Sequence, residues 1–158
     1  MKQLTVIRHA QADDAPGQAD VDRPLSQHGH DQALRLGEWW KQAESMPDHW
    51  LASSARRVQE TLADLASICV LEPAAVNVQD DFYLAAPSTL WDAVSLTPDS
   101  VSHLCLVGHN PGLSQLVGSL TRTFTGLGTG HLVSLELPVD AWTDVRASTA
   151  QLRVHWKP

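Results

Sequence analysis

Residues 4–10 read Leu4-Thr5-Val6-Ile7-Arg8-His9-Ala10, a short apolar and β-branched run that passes directly into an arginine and a histidine. Such a run predicts a buried strand, and the two basic side chains fall where it ends. His103 to Val107 is a second run of this kind, followed by Gly108-His109-Asn110-Pro111. Between them His49 to Ala52 predicts another strand, with Arg56-Arg57 shortly beyond it. In an open parallel sheet the carboxyl ends of the strands form the ligand crevice. Three strands would therefore carry two or three arginines and two histidines to one rim, although His9 and His109 stand 100 residues apart.

The surrounding chain predicts helices between these strands. Residues 11–24, with Asp13, Asp14, Asp20, Asp22 and two prolines, read as a loop. Ser26 offers an N-cap to a helix whose inner face carries Ala33, Leu36, Trp40 and Ala43 and which Pro47 closes. Val58, Leu62, Leu65 and Cys69 mark a second amphipathic helix. A further strand is expected at Val76 and Val78, and a short helix from Leu90 to Val94. Pro111 is expected at the first position of a helix with Leu113, Leu116, Val117 and Leu120 inside. Residues 121–130, with four Thr and three Gly, read as a flexible loop. Val133, Leu135 and Leu137, then Leu152, Val154 and Trp156, alternate with polar residues and predict two half-buried antiparallel strands near a sheet edge. The expected fold is an α/β three-layer sandwich: a mostly parallel central sheet, helices on both faces, and antiparallel edge strands near the C-terminus.

A chain of 158 residues and 17.2 kDa, 43% hydrophobic, is expected to form one domain over residues 1–158. Its net charge of -7 argues against nucleic acid or an anionic membrane as partner, since both call for a basic surface. Eight of the eleven bases are Arg, whose planar fork suits phosphate and carboxylate. Cys69 and Cys105 sit inside apolar runs and read as buried reduced thiols. The N-terminus turns charged at Arg8, too early for a signal-peptide core, and no run of eighteen apolar residues occurs. The expected location is cytoplasmic.

Two guanidiniums at one rim suit the oxygens of a phosphoryl group and would stabilise the charge that develops in its transfer. Neighbouring positive charge favours a neutral imidazole with a free lone pair. Facing a clamped phosphorus, that imidazole is a nucleophile, and a phosphohistidine on the enzyme is the product. Water would release phosphate, a second histidine could donate to a phosphoryl oxygen, and the scheme requires no metal or other cofactor.

Four stretches carry a family resemblance. Arg8-His9-Ala10 resembles the Arg-His-Gly signature of the histidine phosphatase (phosphoglycerate mutase-like) superfamily. Arg23-Pro24-Leu25-Ser26-Gln27-His28-Gly29 is similar to its Arg-Pro-Leu-Thr-x-x-Gly segment. Ser53 to Thr61 resembles Ser-Pro-x-x-Arg-Ala-x-Gln-Thr, which places the catalytic arginine at Arg57 and leaves Arg56 at a variable position. Leu106 to Pro111 is similar to the segment bearing the second histidine. The resemblance implies that His9 is the phosphorylated nucleophile, that Arg8 and Arg57 bind the phosphoryl group, and that His109 completes the pocket.

The compact length most resembles the SixA-type phosphohistidine phosphatase branch. Other branches commonly carry a glutamate general acid before the second histidine, where this chain reads Asp80-Asp81-Phe82-Tyr83-Leu84-Ala85-Ala86-Pro87. An alkoxide leaving group needs a proton and a positioned acid contributes about 100- to 10,000-fold, whereas the phosphoramidate bond to imidazole is already labile. The expected substrate is therefore phosphohistidine on proteins, with a small phosphorylated molecule as the alternative and Asp80 or Asp81 as the acid it would use. A non-catalytic phospho-ligand binder is the reading from a different class, and retention of Arg8, His9, Arg57 and His109 argues against it. Glu60, in place of Gln, is expected to face outward. His28 and His30 point to different faces and are set aside as a metal pair; His49, His103, His131 and His155 show no partner pattern. The acidic residues of 13–22 read as a solvated loop rather than a lip that selects basic surfaces.

Overall fold

The computed structural model describes residues 1–43, 45–123 and 126–158. Its strands are β1 (Lys2–Arg8), β2 (His49–Ser53), β3 (Val76–Gln79), β4 (His103–Gly108), β5 (Leu132–Leu137) and β6 (Gln151–Trp156). The helices are α1 (Gln27–Trp40), α2 (Arg56–Ile68), α3 (Pro87–Ser95) and α4 (Gly112–Thr121). One sheet holds all six strands in the order β3-β2-β4-β1-β5-β6. The first four are mutually parallel, β5 runs antiparallel to β1, and β6 runs antiparallel to β5.

The apolar runs alternate between two cores. Leu4, Val6, Leu104, Leu106, Val133 and Leu135 pack against Leu90 and Val94 of α3 and the stripe Leu113, Leu116, Val117 and Leu120 of α4. Ile7, Trp50, Ala52, Cys105 and Val107 pack on the other face against Leu36, Trp40, Val58, Leu62 and Leu65 of α1 and α2. Strands covered on both faces read as continuous apolar runs, which is how β1 and β4 announce themselves. The expected three-layer α/β sandwich is thus the observed one. Both cysteines are buried free thiols.

Four local expectations need correction. Ser26 does cap α1, accepting from Gly29 N–H at 3.0 Å, but the helix ends at Trp40 and not at Pro47. The amides of Gln42 and Ala43 bond three residues back, to Trp39 and Trp40, so the chain tightens into a turn and Ala43 is exposed. Pro111 precedes α4 rather than opening it, across a cis Asn110–Pro111 bond, and the Asn110 side-chain oxygen accepts from Ser114 N–H and Oγ–H. β5 is buried at every position except Glu136 rather than half-buried, since it lies between β1 and β6 and Ser134 pairs with Gln3. Within 121–130, Phe124 and Thr125 lie outside the described residues, and Leu127 is a core residue, not part of a free loop.

Candidate active site

The carboxyl ends of β1, β2 and β4 meet at one rim, in register: Arg8 lies opposite Gly108 across the β1–β4 ladder, and Ala52 lies opposite Val107. Arg8 closes β1, His9 follows it, Arg57 stands in the first turn of α2 just after β2, and His109 follows β4. The four residues converge on a cleft of about 550 Å³ that Asp20, Arg23 and Tyr83 also line. The ring centroids of His9 and His109 are 5.1 Å apart.

Hydrogen bonds define the tautomer of each ring. His9 Nδ1–H donates to the carbonyl of Ala10 at 2.7 Å, so Nε2 carries the lone pair and receives Arg57 Nε–H at 3.3 Å. Burial pushes His9 down to about 4; the bond to Ala10 opposes this, and Arg57, Arg8 and Arg23 lower it further. In His109, Nδ1 accepts from Arg57 at 3.3 Å and Nε2–H donates to the buried Ser53 hydroxyl at 2.8 Å. Burial first, then His9 and Arg57, push His109 down to about 3. Both rings are neutral at neutral pH. Sequence reading attributes this to neighbouring positive charge, whereas burial is the larger cause in each.

The guanidiniums are held from behind. Arg8 donates to the carbonyl of Leu127 at 3.0 Å, which also takes the Asn110 amide at 2.6 Å. The Arg8 Nε is buried without a hydrogen-bond partner among the described residues. Leaving such a donor unpaired costs about 1–3 kcal/mol. Arg57 is buried and donates to the Asp20 carbonyl at 2.7 Å and to the Asp20 carboxylate at 3.1 Å.

Other expected residues fall outside the cleft. Asp80 and Asp81 are exposed in a 3-10 turn, Asp80–Phe82, and neither lines the cleft. The carboxylate that does is Asp20, from the loop read as solvated. Glu60 turns away, accepting from Leu25 N–H and Arg56 Nε–H, each at 2.7 Å, and so ties the 11–25 segment to α2. His30 pairs with Asp64 at 2.6 Å. His131 and His155, read as partnerless, face each other at 3.2 Å beside the sheet edge. His103, at the start of β4, pairs with Thr5 and lines a separate cleft of about 570 Å³ at the opposite end of the strands. Among the described residues no group of three His, Cys, Asp or Glu could hold a metal ion, and no helix is long and apolar enough to cross a membrane.

Sequence reasoning misses Asp20, Ser53 and Tyr83. Ser53 was within reach as the last residue of a strand that precedes the arginine segment. Asp20 is one of four acids in its loop, and nothing in their spacing distinguishes it.

The model of the histidine phosphatase superfamily (branch 1) matches residues 4–78. An uncharacterized protein of Mycobacterium tuberculosis is 30% identical over 156 residues, covering 92% of this chain and 96% of that one. A solved structure named as a phosphohistidine phosphatase SixA from Nakamurella multipartitia is 25% identical with a TM-score of 0.86, over 99% of this chain and 96% of that one. A protein histidine phosphatase SixA complexed with tungstate shares the fold at a TM-score of 0.82 and 20% identity, over 97% and 95% of the two chains. A mycobacterial glucosyl-3-phosphoglycerate phosphatase is more distant, with a TM-score of 0.66 and 17% identity over 97% of each chain. The chain belongs to the histidine phosphatase superfamily, as a phosphatase of the compact SixA type.

Proposed function

We propose that this phosphatase hydrolyses phosphohistidine on proteins through a covalent phosphohistidine at His9. The observation that carries the covalent step is the disposition of His9: a neutral ring, its Nδ1–H held by Ala10, its Nε2 lone pair turned into a cleft flanked by Arg57, Arg8 and His109. Arg8 and Arg57 grip the phosphoryl oxygens, His9 Nε2 attacks phosphorus, and the leaving group departs on the opposite side. Water, attacking from the position the leaving group vacates, then returns His9 and releases phosphate. His109 faces the same centre through Nδ1 and donates to a phosphoryl oxygen once it has taken up a proton.

Phosphohistidine as the leaving-group source is supported by what stands at the mouth. Asp80 and Asp81 are not in the cleft, and Asp20 is bound as a carboxylate to arginine, so among the described residues no carboxylic acid is poised to protonate an alkoxide. The closer fit to SixA-type folds than to the sugar-phosphate phosphatase agrees with this reading. The small-molecule alternative uses the same four residues, and for an alkyl phosphate it also needs a proton donor for the leaving group.

The test is incubation with a labile phosphodonor, an alkaline quench, and a search for acid-labile phosphate on His9. Labelling at His9 with preferred turnover of a phosphohistidine protein over an aryl phosphate and sugar phosphates is expected. Preference for sugar phosphates would overturn the substrate, and full activity in His9→Ala would overturn the nucleophile.

A further inference from the structure

Asp20 occupies an unusual position for a carboxylate. One oxygen lies 2.9 Å from the Arg23 guanidinium and the other 3.1 Å from that of Arg57, and the Tyr83 hydroxyl donates to this second oxygen. Arg57 also donates to its main-chain carbonyl. Phosphoryl oxygens arriving at the Arg57 fork compete with Asp20 there, but Arg23 and Tyr83 still hold the carboxylate at the edge of the cleft. The hydrogen bond from Tyr83, then that from Arg23, keeps Asp20 well below the usual carboxylate range. It therefore has no proton to give, and it stands beside the place where a dianionic phosphoryl group must sit. Two like charges at such close range disfavour each other. A cationic group between them removes the conflict.

We propose that Asp20 is a specificity-determining residue, which accepts a hydrogen bond from a positively charged N–H of the leaving group and so selects N-phosphorylated over O-phosphorylated substrates. This rests on the phosphatase reading above and deepens it. In phosphohistidine the ring nitrogen remote from phosphorus can carry a proton. Attack by His9 Nε2 forms the new N–P bond, the substrate N–P bond breaks, and its electron pair returns to the substrate ring nitrogen. The imidazole leaves neutral and keeps the proton on its remote nitrogen, so no proton is required from the enzyme. Asp20 moves no proton; it stabilises the protonated ring that makes a good leaving group. With an alkyl phosphate the pair ends on oxygen, which demands the proton that Asp20 lacks.

The experiment compares kcat/KM of wild type and Asp20→Asn for free phosphohistidine and for p-nitrophenyl phosphate, whose leaving group carries no cation and needs no acid. The phosphohistidine to aryl phosphate ratio is expected to fall about 10- to 100-fold, the scale of a lost hydrogen bond to a charged group. The aryl phosphate value itself should rise, since Arg57 is released from a competing carboxylate. Asp20→Glu, which keeps the charge, should recover part of the ratio, and the pair Asp20→Glu and Asp20→Ser makes the same comparison if Asp20→Asn does not fold. An equal fall on both substrates, or an unchanged ratio, overturns the assignment of Asp20 while leaving the phosphatase intact. A wild type that hydrolyses neither compound overturns both.

Discussion

The Nε–H of Arg57 points at the Nε2 lone pair of His9 across 3.3 Å. A second nitrogen of the same guanidinium lies 3.3 Å from His109 Nδ1, so one buried arginine sits between both rings. Arg57→Ala should lower kcat by about 100- to 1,000-fold, the loss typical of one preorganised donor at a site of developing charge. Arg57→Lys should rescue little of it, because a point charge cannot reproduce a fork that spans two rings. Arg56, exposed and paired with Glu60, provides the control: Arg56→Ala should stay within about twofold of wild type, as a surface substitution. Steady-state phosphate release on any substrate that turns over checks the set.

Why Arg57 and not Arg56 faces the cleft is a matter of helix phase. Residues 57, 58, 61, 62 and 65 form the buried side of α2, and Arg56 lies off it. That phase is legible in the sequence from Val58, Leu62 and Leu65, and the strand ends that place Arg8, His9 and His109 are legible from the apolar runs before them. Asp20 is not, because a loop has no periodicity to say which of its four acids turns inward; the choice is made by Arg23, Arg57 and Tyr83, which come from three separate segments. The end of α1 is not legible for a related reason. Ala43 continues the apolar spacing, yet one small side chain adds too little buried surface to outweigh the turn that follows Trp40.

Neither site histidine should titrate near its usual 6.5. His9 is pushed down to about 4 and His109 to about 3, chiefly by burial. Between about pH 5 and 8 the ring proton signals of both should therefore stay constant. An NMR titration of the ligand-free protein decides this, and a midpoint near 6.5 for His9 would contradict its burial.

Occupancy by an oxyanion should change that state. A divalent anion in the cleft favours the protonated form of the rings facing it, and His109 Nδ1 can donate to a phosphoryl oxygen only after gaining a proton. Binding of tungstate near pH 7 is expected to take up close to one proton, seen as a dependence of the calorimetric binding enthalpy on the ionisation enthalpy of the buffer. His109→Gln should abolish the dependence. Buffer-independent enthalpies in wild type would mean that the anion is bound by a neutral His109.

Two glycines separate close approach from mere helix interior. A Cβ on Gly29 would meet the Gln11 carbonyl oxygen at 2.0 Å, and that oxygen is fixed by the amide of Ser26 at 2.9 Å. Gly29→Ala must push α1 off the segment that follows His9, at a cost of about 1–3 kcal/mol or more, and should weaken oxyanion binding as well. A Cβ on Gly118, inside α4, would have nothing nearer among the described residues than Thr123 O at 3.7 Å. Gly118→Ala should instead raise stability by about 0.5–1 kcal/mol through the lower entropy of the unfolded chain. Denaturant unfolding of the two variants should move the midpoint in opposite directions.

Three buried histidines together govern how stability depends on pH. His9, His103 and His109 are each at least nine-tenths buried, and burial pushes them down to about 4, 4 and 3. In the unfolded chain each titrates near 6.5. Between those values the unfolded state binds more protons than the folded one, so stability falls as pH decreases from about 6.5 toward 4. Above 6.5 both states hold neutral rings and the contribution is fully present. Each ring adds a slope of at most about 1.4 kcal/mol per pH unit within its window. His103 separates this effect from catalysis, since it lies at the other end of the sheet, its ring pairs with Thr5, and its Nδ1 is buried without a partner among the described residues. His103→Gln, which cannot ionise, should flatten the pH dependence of the unfolding midpoint by about one ring's share while leaving oxyanion affinity in place. A slope unchanged in His103→Gln would mean that this histidine binds its proton equally in the folded and unfolded chain, and that burial at the start of β4 does not disfavour its charged form.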